Sequence, residues 1–248
     1  MITLYQPKPM FSLPNASPFC LKLEAILRWQ KIPFVIKHAL PFEGPFKKVP
    51  FVSYQGKKLG DSSHIIETLI KDNQIQYSES LDLAIGHSFQ RVVEEHLYWT
   101  VVYFRWQDSQ AWPTLRDAFF GAIPVFVRPF IVAKARKQAT RALWGQGIGR
   151  LPTALIIARA KADLTAINER LQKHRYICGE QLTHYDLAIW AVLRQLVDCE
   201  LKIQHTELAQ SFSEITRYVK DITRQLAPVW QDAPEASGVP SLQGNEIS

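Results

Sequence analysis

Three short stretches of this chain carry residues that could do chemistry. Ser17-Pro18-Phe19-Cys20 runs into Leu23, Ile26 and Leu27 at helical spacing. Serine is a favoured N-cap and proline a favoured first helical residue, so this is a helix start that offers a hydroxyl and unpaired backbone N–H groups to an anion. As a cap alone Ser17 is worth about 1 kcal/mol. Cys20 falls in the first turn, but position 17 holds no partner cysteine, so a two-thiol exchange cannot run and a buried, structural thiol is expected. Val49-Pro50 stands directly before the strand candidate Phe51-Val52, where a proline cannot serve the middle of a ladder. Gly60-Asp61-Ser62-Ser63 opens a second helix, with apolar residues at Ile65, Ile66, Leu69 and Ile70 and a cap supplied by Asp61 or Ser62.

The elements that must position these residues read clearly. Ile2–Gln6 and Pro33–His38 are strand candidates on either side of the first helix, and Phe51 to Leu59 is a hairpin turning at Gly56. Strand, loop, capped helix, strand is the opening of a thioredoxin-like domain, in which Pro50 occupies the place of a cis-proline. From about Ser80 the strand signals stop. Ala84 to Phe104 reads as one long helix with Phe89, Val92, Val93, Leu97 and Val101 on a stripe, and residues 153–173 as another. Thr183 and Asp186 form a capping box ahead of an apolar run.

S-P-F-C at 17–20, V-P at 49–50 and D-S-S-x-I-I at 61–66 together resemble the N-terminal domain of cytosolic glutathione transferases. The resemblance is greatest to the branch related to failed-axon-connections proteins, metaxins and cadmium-responsive proteins. It continues through Glu94-Glu95-His96-Leu97-Tyr98-Trp99, Trp106 and Gly145 to Arg150, and through C-G-x-x-x-T-x-x-D at 178–186, which is similar to the N-capping box of that family's central C-terminal helix. The implied fold class is α/β plus all-α. A thioredoxin-like βαβαββα domain is expected over residues 1–76, an all-helical domain over 77–230 and a disordered tail over 231–248.

The resemblance also implies a function, binding of glutathione as co-substrate and its conjugation to a hydrophobic electrophile, without a metal. The Ser17 hydroxyl would donate to the glutathione thiolate at the helix N-terminus, with Tyr5 at the end of the first strand as the alternative donor. Val49, ahead of Pro50, would pair through its backbone with the cysteinyl unit like an added strand. Asp61 would take the γ-glutamyl ammonium and Ser62 the adjoining carboxylate, while Lys47 and Lys48 would meet the glycyl carboxylate. Tyr98, Arg105 and Trp106 are candidates for the second-substrate pocket, and a homodimer is expected. The alternative from another class is a non-catalytic scaffold of the same fold that presents a surface to a protein partner or membrane.

With 248 residues and 47% hydrophobic content the chain can bury one large core or two smaller ones. Three cysteines without paired spacing suggest neither a disulfide framework nor a zinc site. The chain shows no secretory signal pattern and no apolar run of the roughly 18 to 20 residues that a membrane span needs, so a cytoplasmic location is expected. The net charge of +6 is concentrated between Ala118 and Ala162, where basic residues occur and acidic ones do not. A solvated helix face, an anion-attracting rim of the substrate pocket and a peripheral membrane contact are the readings open for it, whereas nucleic acid is not expected. Gly145-Gln146-Gly147-Ile148-Gly149 reads as a flexible connector, since no strand precedes it and no Lys-Ser/Thr follows.

Overall fold

The computed structural model describes residues 1–75, 82–199 and 204–231. The boundary expected at 76/77 and the tail expected over 231–248, apart from residue 231 at the end of the last helix, fall outside these described residues.

The first 75 residues form a four-stranded mixed sheet. Strands β1 (Ile2–Gln6), β2 (Phe34–His38), β3 (Phe51–Tyr54) and β4 (Lys57–Gly60) lie in the order β2-β1-β3-β4. β1 runs parallel to β2 and antiparallel to β3, and β3 and β4 form the expected hairpin. Gln55 and Gly56 both take positive φ, as a two-residue hairpin turn requires. Helix α1 (Pro18–Trp29) crosses between β1 and β2, and α2 (Ser62–Lys71) follows β4. Between β2 and β3 the chain makes only a 3-10 turn at Pro41–Glu43 in place of a full helix, and the Val49–Pro50 bond is cis.

In β1 the side chains of Ile2, Leu4 and Gln6 are buried while Thr3 and Tyr5 alternate to the other face. Leu4 joins Leu21, Ile26, Val52, Ile65 and Trp190 in one apolar core, so α1 and α2 are held between the sheet and the helical domain. The helical domain begins with α3 (Leu83–Val92), which passes through a π-turn at Val93–Leu97 into α4 (Tyr98–Gln107). The expected long helix is therefore continuous but carries one widened turn. After α5 (Ala111–Phe120) comes α6 (Arg128–Gln146), a 19-residue helix that starts through Pro129 and buries only Leu143. A 3-10 turn at Ile148–Arg150 leads to α7 (Thr153–Lys173), and the Gly-rich connector is thus an ordered, packed turn rather than a flexible one. α8 (His184–Val197) is the central buried helix, followed by α9 (Gln204–Gln210) and α10 (Ser213–Gln231).

The capping box forms as read. Thr183 Oγ1 accepts from the Asp186 N–H at 3.3 Å, and Asp186 Oδ2 accepts from the Thr183 N–H at 3.0 Å. Asp186 Oδ1 also accepts from the Ile177 N–H and the Tyr218 hydroxyl, so this buried carboxylate ties together α8, the loop before it and α10. Among the described residues no helix is long and apolar enough to cross a membrane.

Candidate functional site

The N-termini of α1 and α2 open onto the same cleft, a cavity of about 590 Å³ that also reaches the π-turn of the helical domain. Two helix starts facing one cavity place unpaired N–H groups and the positive ends of two helix dipoles against whatever occupies it.

Ser17 caps α1. Its Oγ accepts from the Cys20 N–H at 3.4 Å, which leaves its own O–H to donate elsewhere. The segment before it is anchored from several sides. Buried Asn15 accepts from the Ser17 N–H at 2.9 Å and donates to the Pro7 carbonyl at 3.1 Å. Gln195 of α8 donates to the Asn15 carbonyl, and Arg105 of α4 donates to the Ala16 carbonyl at 2.9 Å. The long first loop is thus held in place by the helical domain, and Ser17 with it. Cys20 is fully buried, and burial pushes its thiol pKa up to about 12, so it offers no thiolate.

Asp61 caps α2, with Oδ1 accepting from the Ser63 and His64 N–H groups at 3.0 Å each, at a positive φ of 67°. Asp61, buried Ser62 and Val49 line the cavity with Ser17, and Lys47 and Lys48 stand exposed at its rim. Among the described residues nothing engages the backbone N–H or C=O of Val49. Pro50 lies buried behind Val49. Tyr98 lines the cavity from the helical side, packed edge-on against Phe19 at 4.8 Å.

Other expected site residues lie elsewhere. Tyr5 is on the sheet face opposite Leu4, stacked on its cross-strand partner Phe51 at 4.4 Å, and does not line the cavity. Strand alternation turns its hydroxyl away from the start of α1. Arg105 is an internal strut, donating to Gln195 Oε1 at 2.7 Å as well as to Ala16. Trp106 packs in a separate cluster against Trp112 and Phe119. No residue of the basic stretch 118–162 lines the cavity, so that stretch does not form the pocket rim.

Several cavity residues escaped the sequence reading. Trp99, Arg91 and Glu95 line it from α3, α4 and the π-turn. Beneath them Glu94 is buried and paired with Lys22 of α1 at 2.7 Å. Lys22 also donates to Ser63 Oγ at 3.1 Å, and Gln90 donates to the second Glu94 oxygen at 3.0 Å. The only available signal was a charged pair, Glu94-Glu95, interrupting an apolar helix. A buried lysine 72 positions away in sequence cannot be matched to it by local pattern.

This sheet topology, the helical domain packed against it and a cleft at two helix N-termini define a glutathione transferase fold. The chain belongs to the glutathione S-transferase family: residues 18–111 match the family's N-terminal domain and residues 160–222 its C-terminal domain. It is 28% identical over 239 residues to an isoprene-epoxide–glutathione S-transferase of Rhodococcus sp. (strain AD45), covering 91% of this chain and 99% of that protein. It is also 28% identical over 213 residues to Failed axon connections of Drosophila melanogaster, covering 79% of this chain and half of that longer relative. A glutathione S-transferase of Methylobacillus flagellatus KT, solved with glutathione bound, superposes with a TM-score of 0.58 at 15% identity, covering 94% of this chain and all of that one.

Proposed function

We propose that this chain binds glutathione in the cleft between α1 and α2 and conjugates it, through its sulfur, to a small hydrophobic electrophile. The observation that carries this reading is the convergence of Ser17, Val49, Asp61 and Ser62 on one cavity at two helix N-termini. Asp61 supplies a carboxylate for the γ-glutamyl ammonium, and Ser62 with the N-terminus of α2 suits the adjoining carboxylate. The unengaged edge of Val49 suits the cysteinyl backbone, and the rim lysines suit the glycyl carboxylate. The Ser17 hydroxyl then donates to the thiolate, whose negative charge the α1 dipole favours. In the transfer the thiol proton leaves to water and the sulfur lone pair attacks the electrophilic carbon. With an epoxide, a C–S bond forms as a C–O bond breaks, and the alkoxide takes a proton from water.

The name of the Rhodococcus relative supports an epoxide as the first electrophile to try, and Phe19, Tyr98 and Trp99 give the cavity an apolar wall for it. A homodimer and a cytoplasmic location are part of the same proposal. The test is calorimetry with glutathione, followed by turnover of a small apolar epoxide. Saturable binding with turnover is expected, and heat-silent titration of the folded protein would remove the reading.

One observation favours a second role as a scaffold. Val125, Phe126 and Phe130 stand exposed at the start of α6, ahead of Lys134, Lys137 and Arg141. Failure to bind glutathione, combined with pelleting on anionic vesicles that Lys134→Glu/Lys137→Glu abolishes, would favour that role.

A further inference from the structure

The π-turn faces two cavities. Glu95 lines the cleft described above, and the next residue, His96, lines a second cavity of about 320 Å³ with Arg150, Arg159 and the backbone around Gly147. This second cavity joins His96 to the stretch Gly145–Arg150, neither of which the glutathione reading uses.

Its side chains are positioned by specific contacts. Asp163 of α7 holds Nδ1 of His96, which leaves Nε2 without a protein partner among the described residues. Asp163 is thereby engaged, and neither Arg150 nor Arg159 has a carboxylate partner among the described residues. Arg150 is folded back over Gly147. A Cβ at that glycine would lie 3.2 Å from Arg150 Nη2, and its φ of 110° belongs to the left-handed region that glycine tolerates. Gly149 packs directly on the last turn of α6, where a Cβ would meet the Leu143 and Trp144 backbone at 3.0 Å. Gln146 Oε1 accepts from the Ile148 N–H at 2.9 Å and closes the turn. The two glycines therefore serve to bring one guanidinium over the cavity. Two guanidinium groups without carboxylate partners, that of Arg150 lying 5.9 Å over the Trp144 ring, form a donor set for a tetrahedral or planar oxyanion, joined by His96 Nε2–H when the ring is the imidazolium paired with Asp163; the volume suits a small ligand.

We propose that His96, Arg150 and Arg159 form a binding site for an oxyanion of the phosphate monoester class, separate from the glutathione cleft and adjoining it through the π-turn. The site does not depend on the glutathione reading. The test is titration of the full chain with inorganic phosphate and with glycerol phosphate at constant ionic strength. It is followed by calorimetry and by the His96 ring resonance, which is assigned by its loss in His96→Gln. Saturable perturbation of His96 is expected, with affinity reduced about tenfold or more in Arg150→Ala/Arg159→Ala, the scale of lost charge-assisted bonds. Arg150→Lys/Arg159→Lys, which keeps the charge and the exposed packing, should fall between parent and double alanine variant. A parallel titration with phosphatidic acid vesicles separates the two sources of such a group. Response to the soluble esters alone marks a free metabolite, response to vesicles as well marks a lipid headgroup, and either sustains the site. No saturable response to any of these probes, or an equal response in the double alanine variant, would overturn it.

Discussion

Lys22 of α1 and Glu94 of the π-turn form an ion pair of 2.7 Å with side chains only 1% and 4% exposed. The pair lies under the candidate site and joins the two domains, and Ser63 of α2 accepts from the same ammonium. Breaking such a pair from one side leaves a buried charge without compensation, which costs about 3 to 5 kcal/mol. Lys22→Met and Glu94→Leu are each expected to destabilise on that scale. Lys22→Met/Glu94→Leu should recover most of the loss, because both charges leave together. Urea unfolding of the two single variants and the pair measures the coupling, and additive losses would show that the two charges act independently.

Asp61 is both a helix cap and the proposed ammonium ligand, and these roles separate chemically. Asn caps nearly as well as Asp but carries no charge. Asp61→Asn should therefore keep most of the stability while weakening glutathione binding by about 1.5 to 3 kcal/mol, the worth of a bond to a charged group. Calorimetry beside thermal unfolding checks this. Unchanged affinity would remove Asp61 from the binding site.

Ser17→Ala should retain most glutathione affinity and lose transfer, because its hydroxyl acts on the thiolate. Tyr5→Phe should be silent in the same assay, since Tyr5 stacks on Phe51 on the far side of the sheet. Arg105 acts through the loop as a positioning residue: Arg105→Lys should lower kcat more than it raises KM, because the Ala16 carbonyl next to Ser17 loses its fixed donor. A loss in Tyr5→Phe equal to that in Ser17→Ala would reassign the thiolate donor.

His205 is buried, stacked on Phe104 at 4.7 Å, and neither ring nitrogen has a protein hydrogen-bond partner among the described residues. Burial, with the nearby Arg105 charge, lowers its pKa to about 3 from the ordinary 6.5. The unfolded chain therefore binds a proton below pH 6.5 that the folded chain refuses until about pH 3. Stability is fully present above 6.5 and falls as the pH drops, by on the order of 1 kcal/mol per pH unit. His205→Phe should flatten this part of the acid profile between pH 6.5 and 4. Identical pH slopes of the urea midpoint in parent and variant would contradict it.

Asp186 accepts from the Thr183 and Ile177 N–H groups and from the Tyr218 hydroxyl inside the core. Asp186→Ala strands these three donors and the Thr183 hydroxyl, which donates to Oδ2 at 2.6 Å, and should cost about 3 kcal/mol or more, whereas Asp186→Asn, which retains an acceptor oxygen, should cost less. Thermal unfolding ranks the two, and glutathione affinity in the folded fraction should not change.

How much of this was legible in the sequence follows from the range over which each feature is determined. The N-caps at Ser17 and Asp61, the hairpin at Gly56, the capping box and the extent of α7 all depend on residues within a few positions of one another. Hydrogen bonding and φ preference act at that range, so residue type and spacing carried these features. Motifs of that length also sufficed for the family resemblance and for the residues at both helix starts. The helical domain was harder to read. From Tyr98 to Trp106 the α4 sequence is aromatic and apolar around most of its circumference, so its period could not say which side chain meets the cleft. Tertiary packing turned Tyr98 into the cleft, Arg105 inward to the first loop and Trp106 into a separate cluster. It also joined Lys22 to Glu94 and His96 to Asp163, pairs far apart in sequence, because a charge removed from water must find whichever opposite or polar partner the fold brings near.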